Sequence, residues 1–305
     1  MRIIEKDKEG VSLVPETLND LWYLYTVLEK RVVWTKTMRT KTVCKGGEVL
    51  KGSKKPCYLG ILVEKLRWEE TKLRATGTIT EGEERNKHHS IDIELNEKLK
   101  VIGELEKIPG KEKREITACV VDKKIAVFGA ISGRHANAID EIRSGGREEE
   151  FYKEVAGKLR RMNPNYLIVA GPDKSKDRVL QLLDRKDSIF HDQTSSRGIE
   201  GIEELARREL VKRIFNLMRE EAERKKVLEI LAEVKKNPEK AKYGHDTEKE
   251  TERIKEIIVV SSLVEKYENA MNEMEKNGAK VTIIDAEKDY ASELRKFEAV
   301  GLLYW

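Results

Sequence analysis

The spacing of apolar residues changes along the chain and divides it into segments. Residues 17–30, TLNDLWYLYTVLEK, place apolar side chains at helical spacing behind a Thr17-x-x-Asp20 capping pattern, which predicts one amphipathic helix. After this helix the period falls to two, in short segments separated by turns rich in glycine and lysine. One helix and about five short strands within residues 1–108 predict a small, closed antiparallel β-barrel.

A Pro-Gly linker, KIPGKEKRE, separates this segment from one with a different pattern. Short β-rich stretches alternate there with two helical stretches, and Asn163-Pro164 stops the first helix. This order predicts a mixed, partly parallel α/β sheet over residues 115–213, opened by a hairpin at Asp122.

A long helical region then runs from about residue 199 to Lys236, with a break expected, if anywhere, near Asn216. Two apolar strands, a helix ended by Gly278 and a closing apolar stretch follow, which predicts an α/β/α sandwich over residues 216–305. The sequence therefore predicts a multidomain α+β and α/β protein with three domains.

The charge of the chain is balanced overall but uneven locally. Lys and Arg number 60 against 56 Asp and Glu in 305 residues, which argues against a wholly basic nucleic-acid coat protein. Residues 31–55, however, contain eight basic residues and one acid, so 8 − 1 gives a net charge of +7. Such a density of Lys and Arg favours phosphate contacts, although solvated loops and protected edge strands are also often basic.

The cysteines and the N-terminus indicate the compartment. Cys44, Cys57 and Cys119 are odd in number and too far apart for a CxxC pair, so neither a zinc knuckle nor a disulfide framework is indicated. The N-terminus is charged, and no apolar run approaches the roughly 18 residues of a membrane-spanning helix. We expect a cytoplasmic protein without a membrane partner.

The stretch HHSIDIEL, residues 88–95, is the main candidate for chemistry. In a strand, His88 shares one face with Asp92 and Glu94, whereas His89 shares the other with the isoleucines, so the two histidines cannot bind one ion. Asp92 and Glu94, about 7 Å apart in a strand, could hold Mg²⁺ or Mn²⁺ through one carboxylate and waters. The alternative is a solvated outer face of the barrel.

Other enzyme signatures are missing from the chain. There is no GxxxxGK[ST], HExxH or GxSxG motif, and no strand followed by GxGxxG, so the usual support for NTPase, zinc-peptidase, hydrolase and dinucleotide-binding functions is lacking. The stretch TSSRG at residues 194–198 could bind an anion through backbone N–H groups. We favour its other function, which is to cap the following helix.

Several stretches together resemble the Pelota family of archaeal ribosome-rescue factors, which are related to class 1 translation release factors. They follow the family's order along the whole chain: MRIIEKD, LNDLWYLYTVLEK, TKTMRTKTV, EGEE, HHSIDIEL, EIRSGG, LIVAGP, QTSSRGIEGIEEL, AKYG and AVGLLYW. The resemblance implies an Sm-like barrel with one helix, an RNase H-like central domain, and a C-terminal domain similar to the ribosomal kink-turn-binding fold.

The resemblance also implies partners and a function. Such a factor enters the decoding site of a stalled ribosome with an elongation-factor-like GTPase, and then helps a recycling ATPase to split the subunits. It contacts messenger and ribosomal RNA and is expected to act as a monomer. No Gly-Gly-Gln tripeptide occurs in the chain, so the peptidyl-tRNA hydrolysis of release factors is not expected.

The site residues that the resemblance implies are basic. The decoding-site loop corresponds to Lys36 through Lys41, with Arg39 as the main RNA contact, and a basic loop of the central domain corresponds to Arg143 through Arg147. The central loop is shorter here than is usual in the family.

The family has also been ascribed a metal-dependent endoribonuclease activity in its barrel. In this chain the residues that could serve such an activity, with Mg²⁺ or Mn²⁺, are Asp20, His88, Asp92 and Glu94. Three hypotheses follow: a rescue factor without intrinsic chemistry, the same factor cleaving messenger RNA, and a general RNA-binding or ribosome-associated protein without rescue activity.

Overall fold

The fold is that of a computed structural model, which describes residues 1–45, 48–81, 84–106, 108–109, 114–183 and 188–304, but not the side chains of residues 38–55. The chain divides into two units. One contains residues 1–111 together with residues 224–305, and the other contains residues 112–223. Among the described residues, none of the helices is both long and apolar enough to cross a membrane.

Residues 1–102 form a seven-stranded antiparallel sheet and one helix, with strand order β1-β2-β7-β3-β4-β5-β6. The elements are β1 Arg2–Lys6, β2 Gly10–Val14, α1 Leu18–Val27, β3 Val32–Lys45, β4 Glu48–Glu69, β5 Lys72–Ile79, β6 His88–Glu94 and β7 Leu99–Ile102. The sequence pattern missed β1 and β2 because neither alternates: β1 is largely exposed, and β2 is buried at all five positions.

The predicted helix forms and begins where its capping pattern places it. Thr17 is the N-cap, and the reciprocal hydrogen bonds of a capping box join it to Asp20. The helix ends at Val27, three residues before the predicted end, and Lys30 adopts a left-handed conformation with φ 61°.

Residues 112–223 contain a five-stranded mixed sheet of order β10-β9-β8-β11-β12. Its elements are β8 Ile116–Val121, β9 Ile125–Ser132, β10 His135–Arg143, α2 Glu148–Met162, β11 Leu167–Gly171, α3 Ser175–Gln181, β12 Ile189–Gln193 and α4 Gly198–Ala206. The parallel pairs β8–β11 and β11–β12 and the antiparallel hairpin at Asp122 confirm the predicted mixed sheet. The sequence pattern missed β10, because seven of its nine residues are exposed.

Strand β8 shows how this sheet packs on both faces. Ala118 and Val120 join a cluster that contains Ile202 of α4, whereas Cys119 and Val121 join one that contains Val155 of α2. Burial of both faces is typical of parallel strands and explains why these segments are continuous apolar runs. Asn163, with φ 42°, ends α2 directly before Pro164, as the sequence predicted.

The remaining elements form a four-stranded sheet of order β13-β16-β14-β15 with helices on both faces. They are α5 Glu209–Lys236, β13 Ala241–Tyr243, β14 Ile254–Val260, α6 Val264–Lys276, β15 Lys280–Ile284, α7 Ser292–Arg295 and β16 Ala299–Leu303. The predicted α/β/α order is present. The break expected near Asn216 is wrong: the interruption lies at Arg207 and Arg208, between α4 and α5. Asn216 pairs with Arg219 one turn later, and an exposed asparagine costs too little to end a helix.

The N-terminal sheet and the C-terminal elements share one hydrophobic cluster. Buried side chains of the sheet, such as Ile61, belong to the same cluster as Tyr267 and Met271 of α6. Polar contacts accompany it: Trp22 Nε1 donates to Glu275 Oε2 at 3.1 Å, and Trp68 Nε1 donates to the carbonyl of Ser261 at 3.0 Å. Residues far apart in sequence therefore complete the core of this unit.

Candidate nucleic-acid interface

The basic segment found in the sequence forms most of one long hairpin. Strands β3 and β4 pair from Val32 opposite Leu62 to Lys45 opposite Glu48, with an irregularity between Thr40 and Thr42. Strand alternation places Val33 and Thr35 in the interior, so Lys36 is exposed.

The predicted decoding-site segment, Lys36 through Lys41, lies on β3 of this hairpin. The side chains of Arg39 and Lys41 lie outside the described residues, but the register places Arg39 opposite Lys55. Lys and Arg at this density favour contact with a phosphate backbone, whose binding would release counterions.

The second basic loop lies between β10 and α2 of the other unit. Arg143 Nε contacts Glu141 Oε1 at 2.9 Å, and an Arg147 terminal nitrogen contacts Glu150 Oε2 at 3.2 Å. The arginine side chains are more than three-quarters exposed. Exposed ion pairs of this kind contribute about 0–1 kcal/mol, so these arginines can exchange their partners for phosphates at little cost.

Strand β6 has the face alternation that its sequence predicted. His88, Ser90 and Glu94 are exposed, whereas Ile91 and Ile93 are buried. His88 Nδ1 lies 3.4 Å from Glu64 Oε2. His88 and Asp92 are four residues apart on one strand, which separates their backbones by about 13 Å. They cannot be ligands of one ion.

Asp92 is engaged with neighbouring cations on β5. Its two oxygens accept hydrogen bonds from Arg74 Nε at 2.9 Å and Lys72 Nζ at 2.9 Å. The hydrogen bond from Arg74, helped by Lys72, lowers the pKa of the Asp92 carboxyl against the opposing effect of burial. These contacts neutralise the carboxylate that a divalent cation would need.

Asp20 is a structural residue in this fold. The residue is 4% exposed, and its carboxylate accepts hydrogen bonds from the amino group of Met1 and from the backbone N–H groups of Glu16 and Thr17 at 2.7 to 3.0 Å. Both carboxylate oxygens are thereby used in holding the start of α1, so Asp20 offers no free ligand atom to substrate or metal.

The predicted catalytic residues therefore do not come together. Asp20 is buried at the start of α1, Asp92 is bonded to two cations, and His88 and Glu94 lie at opposite ends of β6. Within the residues that the structure describes, no three His, Cys, Asp or Glu side chains form a group suited to a metal ion. The donor set on this strand does not fit Mg²⁺ or Mn²⁺.

Backbone N–H groups of the TSSRG stretch are hydrogen-bonded to a side chain of α4, the helix that follows it. The backbone N–H groups of Ser195 and Ser196 donate to Glu204 Oε2 at 2.8 and 3.1 Å, and the hydrogen bond from Arg208 lowers the pKa of Glu204. The N–H groups of the two serines are thus not available to an anion. The predicted cap by this stretch is wrong: the N-cap of α4 is Arg197, which makes no side-chain capping hydrogen bond, and Glu204 instead holds the backbone that leads into the helix.

An aromatic pair on the hairpin was missed in the sequence. Trp34 and Tyr58 stack with ring centroids 5.7 Å apart. The alternation of VVWTK and of PCYLG already places both rings on the outer face of their strands. That signal was available, but only the register of β3 and β4 shows that the two rings meet.

Comparison with known proteins gives matches along the whole chain. Residues 1–108 match the model of the Pelota N-terminal domain. The chain is 29% identical to a protein pelota homolog of Archaeoglobus fulgidus, over 99% of this chain and 98% of that protein. It is 26% identical to a homolog of Methanopyrus kandleri with the same coverage.

Solved structures give the same result for the fold. The crystal structure of Archaeoglobus fulgidus Pelota matches with a TM-score of 0.78 and 27% identity, over 100% of this chain and 99% of that chain. A model of ribosome-bound archaeal Pelota and ABCE1 matches with a TM-score of 0.52 and 23% identity, over 100% and 99% of the two chains. The chain is therefore similar to archaeal Pelota proteins along its whole length, as its motifs indicated, and residues 1–108 match the Pelota N-terminal domain.

Proposed function

We propose that this chain is a ribosome-rescue factor whose β3–β4 hairpin binds RNA in the decoding site of a stalled ribosome. The observation that carries the proposal is the hairpin itself. Its two strands form a long ladder that includes most of residues 31–55, and these residues carry a net charge of +7. Lys36 is exposed on the outer face of the ladder. A ladder rich in Lys and Arg suits contact with RNA phosphates.

The partners in this proposal are the ribosome, its RNA, an elongation-factor-like GTPase and a recycling ATPase. One structural relative is described as ribosome-bound archaeal Pelota with ABCE1, and we extend that assembly to this chain. The chain acts as a monomer in the cytoplasm. In this proposal it works by binding and recruitment, and peptidyl-tRNA hydrolysis is not expected, because the chain lacks the Gly-Gly-Gln tripeptide.

The loop with Arg143 and Arg147 is the second RNA contact in this proposal. Its exposed ion pairs with Glu141 and Glu150 are weak and can open when phosphates approach. The two contact regions belong to different units of the chain, so each can be tested by its own substitution without altering the other.

The test is ribosome splitting in a reconstituted system. Ribosomes stalled on a truncated message are incubated with the full chain, the GTPase and the recycling ATPase, and free subunits are measured on sucrose gradients. We expect splitting that requires all three proteins and that Lys36→Glu reduces severalfold. Lys225→Glu is the matched control, since this side chain is 79% exposed and belongs to α5 rather than to the hairpin.

A general RNA-binding protein without rescue activity is the alternative. It would bind ribosomes equally well without the GTPase and would not increase the yield of subunits. Dependence of binding on the GTPase in its GTP-bound form therefore separates the two functions. Splitting at the level of the ribosome-only control would contradict our proposal.

Metal-dependent cleavage of messenger RNA remains a separate hypothesis that comes from the resemblance. Its expected residues were Asp20, His88, Asp92 and Glu94, and the first and third are engaged in structural contacts. End-labelled RNA incubated with Mg²⁺ or Mn²⁺, with and without EDTA, tests the hypothesis. Cleavage that EDTA abolishes and that an Asp92→Ala/Glu94→Ala variant lacks would support it.

A further inference from the structure

An exposed aromatic ring lies on the outer face of the β3–β4 hairpin. Tyr58 stacks on Trp34 with an interplanar angle of 23° and is 53% exposed. Trp34 lies over Gly60, where a Cβ atom would come within 2.4 Å of the indole ring. Trp34 is therefore fixed against the strand, and it holds the Tyr58 ring in one orientation from one side.

Two lysines lie beside this ring. Lys36 lies directly opposite Tyr58 in the β3–β4 ladder. An open depression beside Tyr58 is lined by Lys36, Pro56, Cys57, Asn96, Glu97 and Lys98. Its two lysines outnumber its one acid, and both lysines are exposed. Lys100, by contrast, already contacts Asp7 and Glu9 at 3.3 and 3.1 Å.

We propose that Tyr58 is a stacking platform for one unpaired RNA base and that Lys36 and Lys98 contact the adjacent phosphates. The inference rests on the proposed function, because it assigns a base-binding subsite to the same hairpin. A rigid aromatic ring next to lysines is the combination by which proteins bind single strands with little sequence preference. Duplex RNA does not fit this subsite, because its bases are already stacked on one another.

The experiment measures binding of the full chain to a fluorescein-labelled oligouridine by anisotropy at several salt concentrations. We expect Tyr58→Ala to weaken binding about tenfold at every salt concentration, because stacking is lost while the number of phosphate contacts is kept. Tyr58→Phe retains the ring and should bind as the unchanged protein does. Leu62→Ala is the matched control, because Leu62 is 40% exposed on the same strand.

A second oligonucleotide series locates the base. An abasic sugar is moved along the strand, and the difference between the unchanged protein and Tyr58→Ala should vanish when the stacked base is the one removed. Equal binding by the unchanged protein and Tyr58→Ala, or no measurable binding by the unchanged protein at low salt, would overturn the proposal.

Two further measurements, thermal melting and ribosome splitting, separate loss of base stacking from a folding defect and from loss of a protein contact. Thermal melting followed by circular dichroism shows whether Tyr58→Ala is folded, and Tyr58→Phe carries the comparison if it is not. Normal RNA binding by Tyr58→Ala combined with reduced ribosome splitting would assign Tyr58 to a protein contact and contradict a base-stacking role. Failure of splitting with intact, Tyr58-dependent RNA binding would contradict the rescue function and leave the subsite standing.

Discussion

Strand β4 carries two aromatic side chains with opposite environments. Trp68 is 3% exposed and donates its indole N–H to the carbonyl of Ser261, whereas Tyr58 is 53% exposed and stacks on Trp34 of the neighbouring strand. The first ring is thus part of the core that the C-terminal residues complete, and the second is available to a ligand. An aromatic residue in a strand acquires its role from partners that local periodicity does not reveal.

The largest expected effect is on the free energy of unfolding and concerns the buried ring, Trp68. Trp68→Ala should lower the free energy of unfolding by about 3–5 kcal/mol, because it opens a cavity in the core and removes the indole hydrogen bond to the Ser261 carbonyl. Tyr58→Ala should cost only about 1 kcal/mol, the contribution of an exposed stacked pair. Urea unfolding followed by circular dichroism measures both, and equal losses would contradict the contrast.

The next effect concerns Asp20. Asp20→Ala should cost about 3 kcal/mol, because it leaves the amino group of Met1 buried without its partner and removes the capping box of α1. Thr17→Ala removes only the reciprocal half of the capping box and should cost about 1 kcal/mol. Urea unfolding again distinguishes the two, and a loss for Asp20→Ala no larger than that for Thr17→Ala would contradict the assigned role.

The local sequence pattern predicted the parts of the fold that depend on the residues of one element alone, such as the ends of a helix or the two faces of a strand. The capping pattern placed the start of α1, Asn163-Pro164 placed the end of α2, and the alternation of residues 88–94 gave the faces of β6. Strand β1 was not predicted, because an exposed edge strand shows no alternation of apolar and polar residues. In β4, core-facing positions change from odd numbers at Ile61 and Val63 to even numbers at the partly buried Leu66 and at Trp68, at a bulge between Val63 and Lys65.

The candidate site was less predictable than the fold, because its features depend on register. The sequence identified the basic segment with Lys36 and Arg39, and the structure places it on one hairpin. The sequence could not show that Arg74 lies opposite Asp92, a pairing that turns a candidate ligand into an ion-pair partner. Pairing between strands assigns such roles, and a single strand does not contain that information.

A smaller expected effect is on the salt dependence of RNA binding and concerns Lys36, which lies opposite the exposed ring of Tyr58. Lys36→Ala should weaken oligonucleotide binding severalfold at low salt and reduce the slope of log K against log salt by about 0.7, the value for one phosphate contact on a single strand. Tyr58→Ala should leave that slope unchanged. Anisotropy titrations between 50 and about 200 mM salt suffice. An unchanged slope for Lys36→Ala would mean that this lysine does not meet a phosphate.

The smallest expected effect concerns Asp92 and appears only with pH. Its folded pKa lies below the ordinary value of 3.8, chiefly because of the hydrogen bond from Arg74, so its ion pairs stabilise the fold above pH 3.8 and stop doing so as pH falls through the folded pKa. The stability difference between the unchanged protein and Asp92→Asn should therefore be constant from pH 5 to 7, stay below about 1 kcal/mol, and disappear in stronger acid.

Glu94→Gln, which changes an exposed carboxylate on the same strand, is the control for the change in net charge. Urea unfolding at each pH measures the difference. A difference that grows as pH falls would mean that the Asp92 carboxylate is held in an unfavourable site, as expected of a group kept for metal binding or catalysis rather than for pairing β5 with β6.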